Sequence, residues 1–274
     1  MTRVNSEGVR HRHSYFLDAD HEFGERAKSI ADQAFDIMIE EMVNQPRSLQ
    51  KRIGPSEMGI PCTRAILHKL ARVPEPPRGP AWKPQVGTAL HDQQERWFKK
   101  ASAAGASEEN RWLCEESVVV GQIGGEDHAG STDLFDSWGH AVGDWKFVGE
   151  YKLGQYKTGG PSSQYRTQAH LYGRGWELEG WQVDLVMIFF IPRDGELSDS
   201  YVWSEPYNAQ VALDALFRMN QLDGLLKAIG LEQALSLYPL CDDRYCAWCA
   251  PQQRQLAAVA KVAPIRKFSM TPTK

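Results

Sequence analysis

Three cysteines crowd together near the end of the chain, in CDDRYCAWC: Cys241, Cys246 and Cys249. Two more, Cys62 and Cys114, stand far upstream, for a total of five. An odd number of cysteines in a chain without a secretory leader argues against a disulfide framework. Crowded thiolates in a reducing compartment hold a metal ion or a cluster instead. Three ligands leave one coordination place open, and Cys62 is the candidate for it. If Cys62 joins the other three, the early and late parts of the chain must meet in space. The trio's spacing, four residues and then two between successive cysteines, matches ferredoxin-type [2Fe–2S] ligation, but there the fourth cysteine follows the trio, and here none follows Cys249. A zinc site with four thiolate ligands satisfies the same residues. Radical chemistry needs a different spacing, three residues and then two. Cys114 falls in a strand-like segment and reads as a core cysteine.

The rest of the 274 residues fit an ordinary globular chain. Hydrophobic residues make up 42% and charged residues 24%, which excludes a disordered, collagen-like or coiled-coil chain. The longest apolar run, Val183 to Pro192, is interrupted by Asp184 and is far short of the ~20 residues that span a bilayer. The opening MTRVNSEGVRHRHSYF lacks the apolar core of a secretory signal, so a cytoplasmic location without membrane contact is expected. Lys plus Arg is 31 and Asp plus Glu is 35, for a net charge of −4. That balance excludes a uniformly basic nucleic-acid binder and leaves room for a local basic channel.

Apolar spacing predicts a helix from Glu25 to Val43, a second from Ser56 toward Leu70, and a third from Val86 to Ala103. Three strands follow, in RWLCEESVVVG, HAGSTDLFDSW and HAVGDWKFVG. A capped helix in GGPSSQYRTQAHLYGRGWELEG, strands in WQVDLVMIFFIPR and SDSYVWSEPY, and a helix from Tyr207 to Ile229 with a short one behind it complete the pattern. The order predicts an α/β fold, a mixed central sheet flanked by helices. The expected organisation is a flexible segment 1–22, a single domain 23–253, and a basic tail 254–274 with two Arg, three Lys and no acid.

Asp133 and Asp144 sit at strand-like positions, and Lys146 follows Asp144 by two residues. Residues i and i+2 of a strand share a face, so Asp144 and Lys146 point the same way. An adjacent antiparallel strand brings Asp133 beside them. Facing carboxylates repel, and a divalent cation relieves that repulsion; all-oxygen ligands suit Mg2+ or Mn2+. A lysine beside a metal-bound water orients it and neutralises developing charge. Asp-x-Lys alone is a common surface pair, so its company decides. Gln168 and Tyr172 stand four apart on a helix and share a face. His91 precedes the strands near the start of a helix.

The order Gly87-x3-His91, Gly130-x2-Asp133, Asp144-x-Lys146 and Gln168-x3-Tyr172 resembles the RecB-like branch of the PD-(D/E)XK nuclease superfamily. Cys62 before these motifs and Cys241, Cys246 and Cys249 after them are similar to the CRISPR-associated exonuclease Cas-four and to AddB-type nuclease domains, whose four cysteines hold a [4Fe–4S] cluster. Phages carry stand-alone relatives. The resemblance spans Ser56 to Pro251 and implies a restriction-endonuclease-like core. It also implies a Mg2+- or Mn2+-dependent exonuclease on DNA, acting on single strands or free ends in recombination, repair or phage DNA processing, with a recombination or replication protein as a possible partner. His91, Asp133, Asp144 and the carbonyl of Trp145 would bind the metal. Lys146 would act on the attacking water, Gln168 would orient the centre, and Tyr172 would contact DNA or support the lysine. Cas-four relatives often carry Glu at the place of Asp144, a longer arm. The competing readings are a non-catalytic iron–sulfur or zinc DNA-binding module and an endonuclease on the same fold.

Among the aromatic residues, most of the nine tryptophans are expected in the core. Arg64, Lys69, Arg72, Lys99, Lys100, Lys152, Lys157 and Arg166 are candidates for lining a DNA groove.

Overall fold

The computed structural model describes residues 22–43, 52–76, 82–104 and 110–262. The expected flexible segment therefore falls almost wholly outside the described residues. The chain divides into two units, Met1–Gln50 with Pro77–Gln94 and Lys51–Pro76 with Glu95–Lys274.

The first unit holds α1 (Gly24–Val43) and the first part of α4 (Trp82–Ala104). The helix expected from Glu25 forms, but Ile30 and Met38 of its apolar stripe are 58% and 40% exposed. Helix α4 starts earlier than Val86 because proline is tolerated in a first turn, where its missing amide has no partner to lose; Pro84 sits there.

The second unit begins with α2 (Pro55–Met58) and α3 (Thr63–Leu70), where one helix from Ser56 was expected. Pro61 interrupts the ladder, having no amide hydrogen to donate. Gly59 turns tightly beneath a later helix, where a Cβ would meet Gln164 Cα at 2.7 Å. Glu57 serves this corner, accepting from the Gly54 amide at 3.2 Å and from Lys69 Nζ at 2.5 Å.

The first two expected strands each break once. They give β1 (Trp112–Leu113), β2 (Glu116–Ile123), β3 (Glu126–Thr132) and β4 (Leu134–Asp136), followed by β5 (Ala141–Val148). Strands β2 and β3 leave the main sheet as a separate hairpin closed at Gly124 and Gly125, whose φ values of 61° and 86° suit a primed turn. Strands β6 (Leu185–Pro192) and β7 (Tyr201–Pro206) complete a five-stranded sheet ordered β1-β4-β5-β6-β7. Of its neighbouring pairs, only β5 and β6 run parallel. Their connection must cross over, and it does so through α5 (Glu150–Gly159) and α6 (Ser163–Leu178). Helix α5 is an element that periodicity does not reveal: EYKLGQYKTG contains two glycines and buries only Leu153. Ser162 caps α6, accepting from the Tyr165 amide at 3.3 Å.

One sheet face, with Val142, Val186, Ile188 and Phe190, packs in a core with Ala169 and Leu171 of α6 and Met219 of α7 (Ala209–Ser236). The other face gathers Leu134, Trp145 and Phe189 with Phe98 of α4. Helix α7 kinks at Gly230, with φ 77°, where the sequence reading ends one helix and begins a shorter one. Helix α8 (Cys249–Val262) carries the expected basic tail as helix as far as Val262. No helix among the described residues is long and apolar enough to cross a membrane.

Helix α6 approaches the hairpin closely at Gly175, where a Cβ would stand 2.3 Å from Val118 Cγ2 and 2.8 Å from its Cβ. Both atoms belong to a stiff β-branched side chain in the core. Gly175→Ala is expected to lower stability by about 1–3 kcal/mol through overpacking, read as a lower urea midpoint with an unchanged slope.

Candidate functional site

Strand β5 presents Asp144 and Lys146 on the face it shares with Val142 and Val148. Asp144 is 1% exposed and its Oδ2 lies 2.5 Å from Lys146 Nζ, whose side chain is 15% exposed. Burial pulls the Lys146 ammonium toward a lower value, but the charges of Asp144 and Asp133 outweigh it and hold the lysine above its ordinary value. The ammonium also stands 5.0 Å from the ring centre of Tyr165 on α6.

Asp133 lies where the chain steps from the hairpin back to the main sheet, between β3 and β4. Leu134 pairs with Gly143, so the antiparallel register carries Asp133 opposite Asp144. The carboxylate is anchored there by the Trp145 amide, which donates to Asp133 Oδ2 at 2.7 Å. The expected juxtaposition of Asp133 with the Asp144–Lys146 face is therefore present.

Sequence reasoning missed a third carboxylate. Glu115 occupies the matching step between β1 and β2. Leu113 faces Phe135 on one side of the step and Glu116 faces Thr132 on the other, a single unbroken register that sets Glu115 opposite Asp133. Oxygens of the two carboxylates lie within 4.8 Å of each other. Glu115 adopts φ 56°, a left-handed conformation that non-glycine residues rarely take. Such strain gathers at sites where surrounding structure enforces it.

Helix α6 brings Gln168 and Tyr172 to the same region, both buried. Gln168 Nε2 donates to the Tyr172 hydroxyl at 3.4 Å. Burial and the nearby Asp144 charge push the Tyr172 hydroxyl up to about 12, so it stays protonated at neutral pH. Tyr172 packs over Gly130, where a Cβ would come within 3.2 Å of its ring. His91 belongs to α4 in the other unit and is partly buried.

The four cysteines meet. Cys62 caps α3, Cys241 and Cys246 lie in the turns after α7, and Cys249 opens α8. Their Sγ atoms all lie within 4.8 Å of one another. Two arginines hold the segments together around them. Arg64 donates to the carbonyls of Leu235 and Tyr238, and Arg218 donates to those of Ile60 and Pro61 and to Thr63 Oγ1. His68 and Trp248 stack beside the centre with ring centres 3.9 Å apart. Cys114 lies elsewhere, packed with Leu134 and Trp145, and burial pushes its thiol up to about 11.

Several cations of the expected basic groove stand beside acids. Lys69 pairs with Glu57, Arg72 with Glu126, Lys99 with Glu95 and Arg166 with Glu205. Lys69 and Arg64 tie neighbouring segments together, whereas Arg72 and Lys99 are 55% and 59% exposed in their pairs, which add little to stability. Of the tryptophans, Trp145 and Trp176 are in the core, whereas Trp97, Trp138 and Trp181 are exposed.

Fold and site together define a mixed α/β protein with an acid–lysine pair on its central parallel strand, two further carboxylates at the hairpin corner, and a separate four-thiolate centre. The carboxylate oxygens of Asp133, Asp144 and Glu115 are hard donors of the kind that suits Mg2+ or Mn2+. No family model and no curated protein matches the sequence. Among solved structures, an alkaline exonuclease from Laribacter hongkongensis aligns at a TM-score of 0.45 and 9% identity over 82% of this chain and 99% of that one. Its complex with dAMP aligns at 0.41 and 11% identity over 76% and 95%. A phage-related exonuclease from Haemophilus somnus aligns at 0.42 and 10% identity over 68% and 96%.

Proposed function

We propose that the protein is a divalent-metal-dependent deoxyribonuclease that hydrolyses phosphodiester bonds from DNA ends, with single strands preferred. The observation that carries this reading is the buried Asp144–Lys146 pair on β5 with Asp133 opposite it in register. A buried ion pair of this kind is costly to keep unless the charges have work to do. The exonuclease mode and the preference for single strands come from the resemblance of the ordered motifs to RecB-like, Cas-four and AddB-type nucleases.

In this reading Asp133 and Asp144 would hold Mg2+ or Mn2+, with Glu115 as a supporting carboxylate beside Asp133 and with His91 and the Trp145 carbonyl carried over from the resemblance as further ligands. The bound ion would polarise the scissile phosphate and make water a stronger nucleophile. Asp133 is held in place by the Trp145 amide, so its oxygens need little reorganisation to serve as ligands. Lys146, charged and aimed along the Asp144 face, orients the attacking water and offsets the negative charge that grows on the phosphorane oxygens. The protonated Tyr172 hydroxyl and Gln168 support that arrangement from α6. DNA recombination, repair or phage DNA processing is the setting that suits such an enzyme.

Glu115→Gln keeps the size and removes the charge. It is expected to lower cleavage about 10–100-fold, as loss of a supporting group at a metal site does, and to raise the Mn2+ concentration needed for half-maximal rate. A metal titration of initial rates checks it. The function itself is tested with end-labelled linear single strands, linear duplex and closed circular single strands, each with Mn2+ or Mg2+. Loss of the linear single strands, with circles intact, is the expected result. Cleavage of circles would make the protein an endonuclease, and tight binding without cleavage would favour the non-catalytic module.

A further inference from the structure

The resemblance to Cas-four and AddB-type nucleases implies a [4Fe–4S] cluster on Cys62, Cys241, Cys246 and Cys249. The sulfur positions disagree with it. Cys62 Sγ stands 3.6 Å from Cys249 Sγ and 3.8 Å from Cys246 Sγ, and no pair among the four exceeds 4.8 Å. In a cubane each thiolate binds its own iron at an outer corner, so the four sulfurs must stand roughly 6 Å apart around four irons and four sulfides. A single ion makes a different demand. At a Zn–S distance of ~2.3 Å, the edge of a regular tetrahedron of thiolates is about 3.8 Å. We infer that the four thiolates hold one tetrahedral Zn2+ ion and not an iron–sulfur cubane.

The surrounding backbone argues against an easy expansion to the larger size. Cys62 is held at the start of α3, its Sγ accepting from the Ala65 amide at 3.4 Å while Arg218 grips the carbonyls of Ile60 and Pro61 just before it. Gln253 Nε2 donates to the Cys241 carbonyl at 2.5 Å, tying that ligand to α8. Cys249 is wholly buried and Cys246 nearly so. All four donors belong to protein, which closes the coordination sphere and leaves no place for a reacting water. Zinc has no redox chemistry and suits a closed site whose work is to join distant segments. This inference is independent of the nuclease reading, since none of the cysteines belongs to the acidic corner.

The test is elemental analysis and visible absorption of full-length protein purified under strict anaerobiosis from cells supplied with both iron and zinc. Anaerobic handling prevents an oxygen-labile cluster from being lost and replaced. Two controls run in parallel: Cys246→Ser, and Asp133→Asn to exclude zinc seated at the acidic corner. The expected result is one zinc per chain in wild type and in Asp133→Asn, a colourless solution, and loss of that zinc in Cys246→Ser. Replacement by Co2+ is expected to give the strong thiolate-to-cobalt and tetrahedral d–d bands of a four-sulfur site. A brown protein with iron and acid-labile sulfide in equal amounts would overturn the inference. So would a single iron per chain, zinc that persists in Cys246→Ser, or protein that binds neither metal.

Discussion

Lys146→Ala is expected to lower the rate of DNA cleavage by about three orders of magnitude or more, with Asp144→Asn at least as severe, because both remove groups that act on charge developing in the transition state. The two side chains form one unit: Lys146 Nζ is 2.5 Å from Asp144 Oδ2, and Asp144 is 1% exposed. Removing either takes a buried counter-charge from the other. In Asp144→Asn the lysine keeps Asp133 as a neighbour, but one metal ligand is gone. The variants should therefore separate in a metal titration. Asp144→Asn should need more Mn2+ for whatever rate remains, whereas Lys146→Ala should bind Mn2+ as wild type does and fail in turnover. Stopped-time assays on end-labelled strands, with circular dichroism to confirm the fold, read both effects. A Lys146→Ala enzyme that cleaves at the wild-type rate would remove the lysine from the mechanism.

Loss of the four-thiolate centre should be the largest effect on stability. Cys62 caps α3 while the other three ligands surround the junction of α7 and α8, so the centre closes most of the second unit into one loop. Structural zinc contributes about 10–16 kcal/mol of apparent binding energy in small peptides, comparable to the roughly 5–15 kcal/mol that stabilises a whole domain. Cys62→Ser is expected to bind no metal at the centre, to lose α8 protection in hydrogen exchange, and to unfold well below wild type or accumulate as insoluble protein. Cys114→Ala serves as the control. It lies in a different cluster with Leu134 and Trp145 and should keep the metal at a cost of about 1–2 kcal/mol. The hydrogen bonds of Arg64 and Arg218 also join these segments, and a Cys62→Ser protein with an unchanged melting temperature would show that they suffice without the metal.

Much of this site was legible because its parts obey short-range rules. The two-residue spacing of Asp144 and Lys146 needs only a strand, and the four-residue spacing of Gln168 and Tyr172 needs only a helix. Glu115 was hidden because its position depends on a bulge. The turn at Gly124 and Gly125 pairs Ile123 with Glu126, and an unbroken ladder from that turn would set Glu115 opposite Leu134. The ladder slips between Val119 and Gly121, leaving Val120 extra, and that one residue brings Glu115 opposite Asp133. At the slip Gly121 takes φ 150° and packs against Leu216 of α7, which an added Cβ would meet at 2.6 Å. The bulge thus lies where a distant helix packs, a contact that no short window of sequence reveals. Helix α5 escaped for the opposite reason: it buries almost nothing, so it leaves no apolar period to read.

The cluster's membership was legible from residue type and crowding, but its dimensions were not. Spacing in sequence admits both zinc and iron–sulfur, and only the separation of the sulfurs distinguishes one ion from four.

Diffraction at the manganese absorption edge from crystals soaked in Mn2+ tests the central claim most directly. The account predicts an anomalous peak at the corner between β3, β4 and β5, within coordinating distance of Asp133 and Asp144 and close to Glu115. An empty corner at saturating Mn2+, with the ion bound only elsewhere on the surface, would contradict it.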